Sequence, residues 1–226
     1  IGRRGGKTSH GIDRCADPTV LRDPVGWFSP TYKSMLEVWR VVGLTFQPIT
    51  ARASAADHRI EYVTGGVLEF WSLENPQAGR SRKYKRVIID EAAFVPNLLD
   101  SWNYAIRPTL ADLKGDAWIY STPKGRNGFW QMFQWGADPE RADWRSWQLP
   151  SSVNPLIAPS ELEEMRRNYP ERVHAQEILA QFVEDAGGVF RRVMEAAKAP
   201  VQERREHSGQ YLFGVDFARD ADFTVI

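Results

Sequence analysis

The sequence predicts an α/β fold, a mostly parallel sheet with helices on its faces, and three observations carry that prediction. Val87, Ile88 and Ile89 form a short apolar, β-branched run of the kind that a strand covered on both faces needs, and Asp90 and Glu91 stand at its carboxyl end. Val25 to Ser29 has the same character and leads through Pro30-Thr31-Tyr32 into a helical pattern from about Lys33 to Val42, with Met35, Leu36, Trp39 and Val42 on its inner face. Gly5-Gly6-Lys7-Thr8 opens the first helical stretch. Strand, turn and helix in succession are the rhythm of a parallel sheet, and ligands of such sheets bind at the carboxyl ends of the strands.

Length and composition set the bounds. The 226 residues allow one large domain, or one domain with part of another, and 42% hydrophobic with 26% charged residues is ordinary for a soluble globular chain. Nine Trp within 12% aromatic content point to stacked aromatic packing or to a surface that meets a large partner. Lys plus Arg and Asp plus Glu both total 29, so any nucleic-acid contact must come from local patches and not from the global field. The single cysteine, Cys15, excludes an internal disulfide and a cysteine-rich zinc site, and the apolar runs are too short to span a bilayer. A soluble protein of a reducing compartment is expected. The chain opens with Ile1 and breaks off inside the strand-like run Phe223 to Ile226, so both ends read as cuts in a longer protein. The strand that should feed the first glycine-rich loop is accordingly expected upstream.

That loop reads Ile-Gly-Arg-Arg-Gly-Gly-Lys-Thr-Ser over residues 1–9. Backbone N–H groups of a glycine-rich turn at a helix N-terminus cradle phosphate oxygens, Lys7 supplies a point charge, and the Thr8 hydroxyl can ligate Mg²⁺. The general pattern wants glycine where Ile1 stands, and any glycine-rich basic loop would give the same partial match. The following helix is expected to fade near Asp17-Pro18, because the residue before proline is biased away from helical geometry. Arg59 to Val63 and Val67 to Trp71, joined by Thr64-Gly65-Gly66, read as a structural β-hairpin.

Arg80, Arg82, Lys83, Lys85 and Arg86 then crowd the approach to the apolar strand. Such a run is either a solvated loop or a source of cations for a phosphate site, and the functional reading is preferred. Two adjacent carboxylates at a strand end repel each other when ionised, which suits one to a cation and the other to proton transfer, with Asp90 assigned to Mg²⁺ and Glu91 to water. A polar strand end capping the next helix would account for the pair equally well. Pro96 is expected to start a helix through about Ile106, and Ala117 to Tyr120 a strand ending in Ser121-Thr122-Pro123-Lys124-Gly125, whose hydroxyls could sense a phosphate. Trp144 to Leu149 reads as a further strand. Ser160 and Glu163 match a capping box for a helix that Pro170 interrupts and that resumes to about Val183, with Val173, Ile178, Leu179 and Phe182 inward. His174 reads as a surface or packing residue. Gly187-Gly188 and Gln202 to Gly209 mark flexible joints. In the tail, Asp216 ends one apolar strand opposite Asp222, which is how a two-metal nuclease site begins and also how an ordinary Asp-rich hairpin looks.

Taken in order, Gly2 to Thr8, Pro30-Thr31-Tyr32, Glu74-Asn75-Pro76 running into Arg80, Val87 to Phe94, Ser121 to Gly125, Asn154-Pro155, Gln176-Glu177 and Gly214-Val215-Asp216 resemble the large terminase subunit of tailed bacteriophages. That subunit is the ATP-driven motor that packages DNA into a prohead and cuts it. The resemblance implies a P-loop NTPase domain of the ASCE type with a helical linker region over residues 1–185, a linker over 186–209, and the first hairpin of a ribonuclease-H-like nuclease over 210–226. It implies that Arg3, Arg4, Gly5, Gly6, Lys7, Thr8 and Ser9 bind ATP, that Thr8 and Asp90 hold Mg²⁺, and that Glu91 activates water. Ser121 and Thr122 would couple hydrolysis to motion, and Asp216, with Asp222 beside it, would open a nuclease site using Mg²⁺ or Mn²⁺. The arginine finger, given in trans within a homo-oligomeric ring, falls on Arg80, with Arg82 close enough to compete; Ser81 stands where the family often has Gly. Implied partners are double-stranded DNA, the portal protein and the small terminase subunit, with no membrane, in the host cell cytoplasm. Two other classes fit parts of the chain: a P-loop DNA helicase without nuclease activity, which the Gly-Val-Asp tail disfavours, and a non-hydrolysing nucleotide-binding structural subunit, which Glu91 disfavours.

Overall fold

The computed structural model describes residues 1–183; the joints after them and the Asp216 and Asp222 hairpin lie outside the described residues. Helix α1 (Lys7–Val20) leads to strand β1 (Pro24–Ser29) and helix α2 (Tyr32–Thr45). Strands β2 (Thr50–Ser54), β3 (Arg59–Tyr62), β4 (Val67–Ser72) and β5 (Arg86–Ile89) follow. A helical run continues from α3 (Leu98–Asp100) through a π turn (Ser101–Ile106) and a 3-10 turn (Arg107–Leu110) to strand β6 (Asp116–Ile119). Helices α4 (Gly128–Trp135), α5 (Pro159–Asn168) and α6 (Glu171–Glu177) complete the order.

One sheet of six strands runs β2-β3-β4-β1-β5-β6. Its β4-β1-β5-β6 side is parallel, and the expected hairpin attaches β3 and β2 to it antiparallel. The hairpin is therefore no appendage: β4 lies against β1, with Trp27 opposite Phe70. The three apolar residues of β5 are fully buried because both faces are covered. Ile12, Cys15, Met35, Val38 and Val42 of α1 and α2 cover one face, while Leu98, Trp102, Ile106, Phe129 and Met132 cover the other. A sheet sandwiched between helical layers leaves its strand ends open at one edge, and β1, β5 and β6 all point their carboxyl ends there.

Four expectations need correction. First, α1 runs through Pro18 to Val20. Proline lacks the N–H that would serve the Arg14 carbonyl, and the Arg86 guanidinium takes that oxygen at 2.9 Å, so the turn closes without it. Second, Trp144 to Leu149 joins no ladder among the described residues; Leu149 accepts the Gly2 N–H at 2.8 Å, and Trp147 stacks on Trp118 at 6.3 Å. Alternation of side chains marks the faces of an extended segment but supplies no strand partner. Third, Ser160 lies inside α5 behind Pro159, whose fixed φ starts the helix; Ala158 is the N-cap, and Glu163 is occupied by Arg166 and Arg167. Fourth, α6 ends at Glu177, and Val173 and Leu179 are exposed where Ile178 is buried.

The basic run before β5 is largely committed to structure. Lys83 pairs with Asp112 at 2.6 Å, and Lys85 donates to the Leu113 carbonyl at 3.1 Å. Arg86 grips Asp116 through two bonds of 2.6 and 2.7 Å, and Arg82 Nε stands 3.6 Å from Glu69. Arg80 alone of the five makes its side-chain bond to a neutral side chain, the Gln77 amide oxygen at 2.9 Å.

Candidate active site

Six of the sequence-selected residues converge at the carboxyl edge of the sheet. Gly6 begins α1 with φ of 86°, a left-handed turn that glycine adopts freely, and this brings Lys7 and Thr8 back over the ends of β5 and β6. The Lys7 ammonium, buried, donates to Thr122 Oγ1 at 2.9 Å and lies 3.8 Å from Glu91 Oε1. The Thr8 hydroxyl donates to Asp90 Oδ2 at 2.9 Å, and the Glu91 N–H donates to the other Asp90 oxygen at 3.0 Å. Ser121 Oγ accepts from the Ala93 N–H at 3.0 Å and donates to Glu91 Oε2 at 3.4 Å.

Glu91 itself sits in the left-handed region, φ 51° and ψ 41°, where a non-glycine residue is strained by roughly 1–2 kcal/mol. The bonds on either side over-determine that shape: Ala92 N–H goes to the Tyr120 carbonyl at 2.9 Å and Ala93 N–H to Ser121. As a result Asp90 turns into the protein and Glu91 turns out, with 37% of its side chain exposed. Burial pushes the Asp90 carboxyl up to about 6; the Thr8 hydrogen bond opposes the shift and the neighbouring Glu91 charge adds to it.

A hydroxyl and a carboxylate are hard oxygen donors, and a buried carboxylate short of countercharge is the electrostatic setting that a cation relieves. No group of three or more His, Cys, Asp or Glu side chains gathers among the described residues. The pair Thr8 and Asp90 thus fits Mg²⁺, which keeps much of its shell as water and substrate phosphate, and not a cation needing a full protein cage.

Other residues support the loop without having been singled out for it. Ser151 Oγ donates to the Arg3 carbonyl at 2.6 Å, Asn154 Nδ2 to the Arg4 carbonyl at 2.7 Å, and the Glu177 carbonyl accepts the Arg3 N–H at 2.6 Å. Arg3, Arg4 and Ser9 are themselves exposed. Asn127 caps α4 through Oδ1 while its amide donates to the Ala93 carbonyl at 2.7 Å, tying that helix to the turn after Glu91. Asn154 and Glu177 belong to motifs already noted, so their presence was a signal; Ser151 and Asn127 carried none. Arg80 lies on the crossover between β4 and β5 and makes none of the bonds of the convergent group.

Residues 1–197 match the family described as terminase large subunit, T4-like-virus type, N-terminal. The chain is 30% identical over 141 residues to the terminase large subunit of Escherichia phage T5, which covers 62% of this chain and 32% of that protein, so it spans about a third of that relative's length. It superposes on the large terminase ATPase domain of Thermus phage P74-26 with a TM-score of 0.63 and 25% identity, over 80% of this chain and 86% of that domain. The large terminase of another thermophilic bacteriophage, solved in complex with ADP, shares the fold at 15% identity and a TM-score of 0.64, over 80% of this chain and 47% of that one.

Proposed function

Since the chain belongs to the terminase large-subunit family and carries that family's ATPase-domain fold, we propose that it is the ATP-hydrolysing part of a motor that drives double-stranded DNA into a prohead. The observation that carries this reading is the convergence of Lys7, Thr8, Asp90, Glu91, Ser121 and Thr122 at one sheet edge. Arg3 to Ser9 wrap the phosphates of ATP, with backbone N–H groups at the start of α1 and the Lys7 ammonium meeting their charge. Mg²⁺, when bound, would be held by Thr8 and Asp90 and would neutralise charge on the phosphate oxygens.

Glu91, turned toward solvent, orients a water and takes its proton, while Lys7 and Ser121 fix its two oxygens. Ser121 and Thr122 touch both the base and the phosphate-binding lysine, which is the placement a coupling element needs. Arg80 acts on the nucleotide of a neighbouring subunit in a homo-oligomeric ring, because its guanidinium is held by no carboxylate among the described residues. Arg82, engaged with Glu69 and lying over the Trp71 ring, is the weaker choice. In the whole protein, Asp216 and Asp222 would open a Mg²⁺- or Mn²⁺-dependent endonuclease, and the portal protein and small terminase subunit are the proposed partners, in the host cytoplasm. No helix among the described residues is long and apolar enough to cross a membrane.

The test is phosphate release by the full-length protein in Mg²⁺, with and without double-stranded DNA. Hydrolysis that DNA stimulates supports the motor; no hydrolysis under either condition defeats the reading. Plasmid cleavage that Asp216→Ala abolishes would support the nuclease in the same protein.

A further inference from the structure

Glu69 is a carboxylate in the middle of a central strand, and little of it reaches water. It lies on β4 opposite Gly26 of β1 and Arg59 of β3, and its residue is only 6% exposed. A buried charge at such a place is expensive unless it is paired and hydrogen-bonded. Here the Tyr84 hydroxyl donates to Glu69 Oε2 at 2.6 Å, Arg59 Nη1 donates to Oε1 at 3.1 Å, and Arg82 Nε stands 3.6 Å from Oε2. The Trp71 indole N–H donates to the same Tyr84 hydroxyl at 2.8 Å, and the Arg82 guanidinium lies over the Trp71 ring at 5.6 Å.

The sequence makes room for this contact. Tyr84 reaches Glu69 by crossing β1 at Gly26, where an added Cβ would stand 2.9 Å from the tyrosine ring. Two of the three groups gathered on Glu69, Arg82 and Tyr84, belong to the short segment that follows Arg80. On the other side of Arg80, Gly79 takes φ of 76° against the Phe28 ring. Between the anchors Ser81 is held at φ 69°, a conformation a serine reaches only under constraint, at a position where glycine would need none. The backbone that carries Arg80 is therefore fixed from both sides; downstream, the Tyr84 N–H bond to the Thr109 carbonyl at 2.8 Å and the Lys83 pair with Asp112 hold the chain, and the Glu69 carboxylate gathers the Arg82 and Tyr84 side chains nearest to Arg80.

We propose that Glu69 is the positioning residue for Arg80: by holding Arg82 and Tyr84 it sets the shape of the loop that presents the Arg80 guanidinium to the neighbouring subunit's nucleotide. This rests on the reading of Arg80 as the trans-acting arginine. Glu69 touches no substrate. Its contribution is to pre-organise a cation whose misplacement by about 1 Å can cost on the order of a hundredfold in rate.

The experiment uses the full-length protein assembled on proheads with DNA, and measures ATPase kcat and KM for Arg80→Ala, Glu69→Gln, Tyr84→Phe and the double variants with Arg80→Ala. Tyr84→Phe deletes one hydroxyl and keeps the ring, so it serves if Glu69→Gln does not fold. The expected result is a kcat lowered roughly ten- to a hundredfold by Glu69→Gln and less by Tyr84→Phe, with KM for ATP within about twofold. Neither substitution should lower kcat further once Arg80 is alanine, because residues acting as one unit are non-additive. A residue that merely stabilised the sheet would depress the Arg80→Ala protein as well, and that outcome overturns the proposal. Full kcat in both Glu69→Gln and Tyr84→Phe, with Arg80→Ala impaired, overturns it while leaving the reading of Arg80 standing. Full kcat in Arg80→Ala overturns both.

Discussion

The Lys7 ammonium donates a buried hydrogen bond to the Thr122 hydroxyl at 2.9 Å, although 115 residues separate them in sequence. One bond thus joins the glycine-rich loop to the segment that follows β6. Its loss should separate binding from turnover. Lys7→Ala is expected to abolish ATP binding, because no other side chain of the convergent group brings a positive charge to the phosphates at that point. Thr122→Val keeps the volume and removes the acceptor, so hydrolysis should fall by roughly ten- to a hundredfold, the equivalent of the about 1.5–3 kcal/mol of a hydrogen bond to a charged group, while ATP affinity falls by less. Equilibrium binding of a fluorescent ATP analogue and phosphate release, measured side by side, check the split; equal losses in both would count against it.

Glu91 is the proposed base and also has a left-handed backbone, and two substitutions tell these apart. Glu91→Gln retains the shape and loses the base, so nucleotide binding should persist while hydrolysis drops by about 10²–10⁴. Glu91→Gly loses the base as well but accepts the φ of 51° without strain. Relief of about 1 kcal/mol should raise Tm by roughly 2–4 °C in a domain of this size. Thermal melts of the three proteins decide it, and a lower Tm for Glu91→Gly would mean that the turn is not a store of strain.

How much of this was legible beforehand depended on which force shaped each element. β1 and β5 were plain because strands covered on both faces must be continuous apolar runs. β2 was invisible: Thr50 to Ser54 is an edge strand with no buried residue, so burial left no pattern in it. That Asp90 and Glu91 stand together at a strand end was plain from the sequence, but not that a left-handed turn sends one inward and the other to solvent. The supports of the glycine-rich loop were the hardest to see. Ser151 acts through a single side-chain bond to the Arg3 carbonyl, 148 positions away, and one polar residue in a loop carries no periodicity. Most charges of the basic run were hard to assign for a related reason, since the acid or carbonyl that each one meets is brought near only by the fold.

As the proposed Mg²⁺ ligand, Asp90 should make metal binding sensitive to pH. Its carboxyl is pushed up to about 6 by burial, above its ordinary value of about 3.9 in an unfolded chain. Without metal the folded protein therefore binds this proton more tightly than the unfolded one. The stabilisation is full below about pH 4 and is lost as pH rises toward about 6, an effect of roughly 3 kcal/mol for two pKa units. A cation competes with that proton, so Mg²⁺ affinity in the presence of ATP should fall about tenfold per pH unit below about 6 and level off above it. Titrating Mg²⁺ between pH 5 and 8 checks the slope. Asp90→Asn should flatten it, and an unchanged slope in that variant would assign the proton to another group.

The last prediction concerns the Pro18 turn, because it asks whether the Arg86 guanidinium does what the missing N–H cannot. Arg86 makes two bonds to Asp116 across the β5 and β6 pair, and a third to the Arg14 carbonyl that Pro18 leaves without a helical donor. Arg86→Met should keep the aliphatic packing but remove all three bonds, leaving a partly buried carbonyl unpaired. Partner loss of this kind costs about 1–3 kcal/mol, and a drop in Tm of roughly 4–8 °C follows from about 2 kcal/mol. Pro18→Ala restores a backbone N–H at the place where α1 lacks one. In the wild-type background this substitution should matter little, since the carbonyl is already satisfied. In the Arg86→Met background it should recover part of the lost Tm, because the new N–H can take the orphaned oxygen. The coupling between the two sites, read as the difference between the double change and the sum of the single ones, isolates the third bond from the ion pair with Asp116. Purely additive effects would mean that the Arg14 carbonyl is served by water and that Arg86 acts through Asp116 alone.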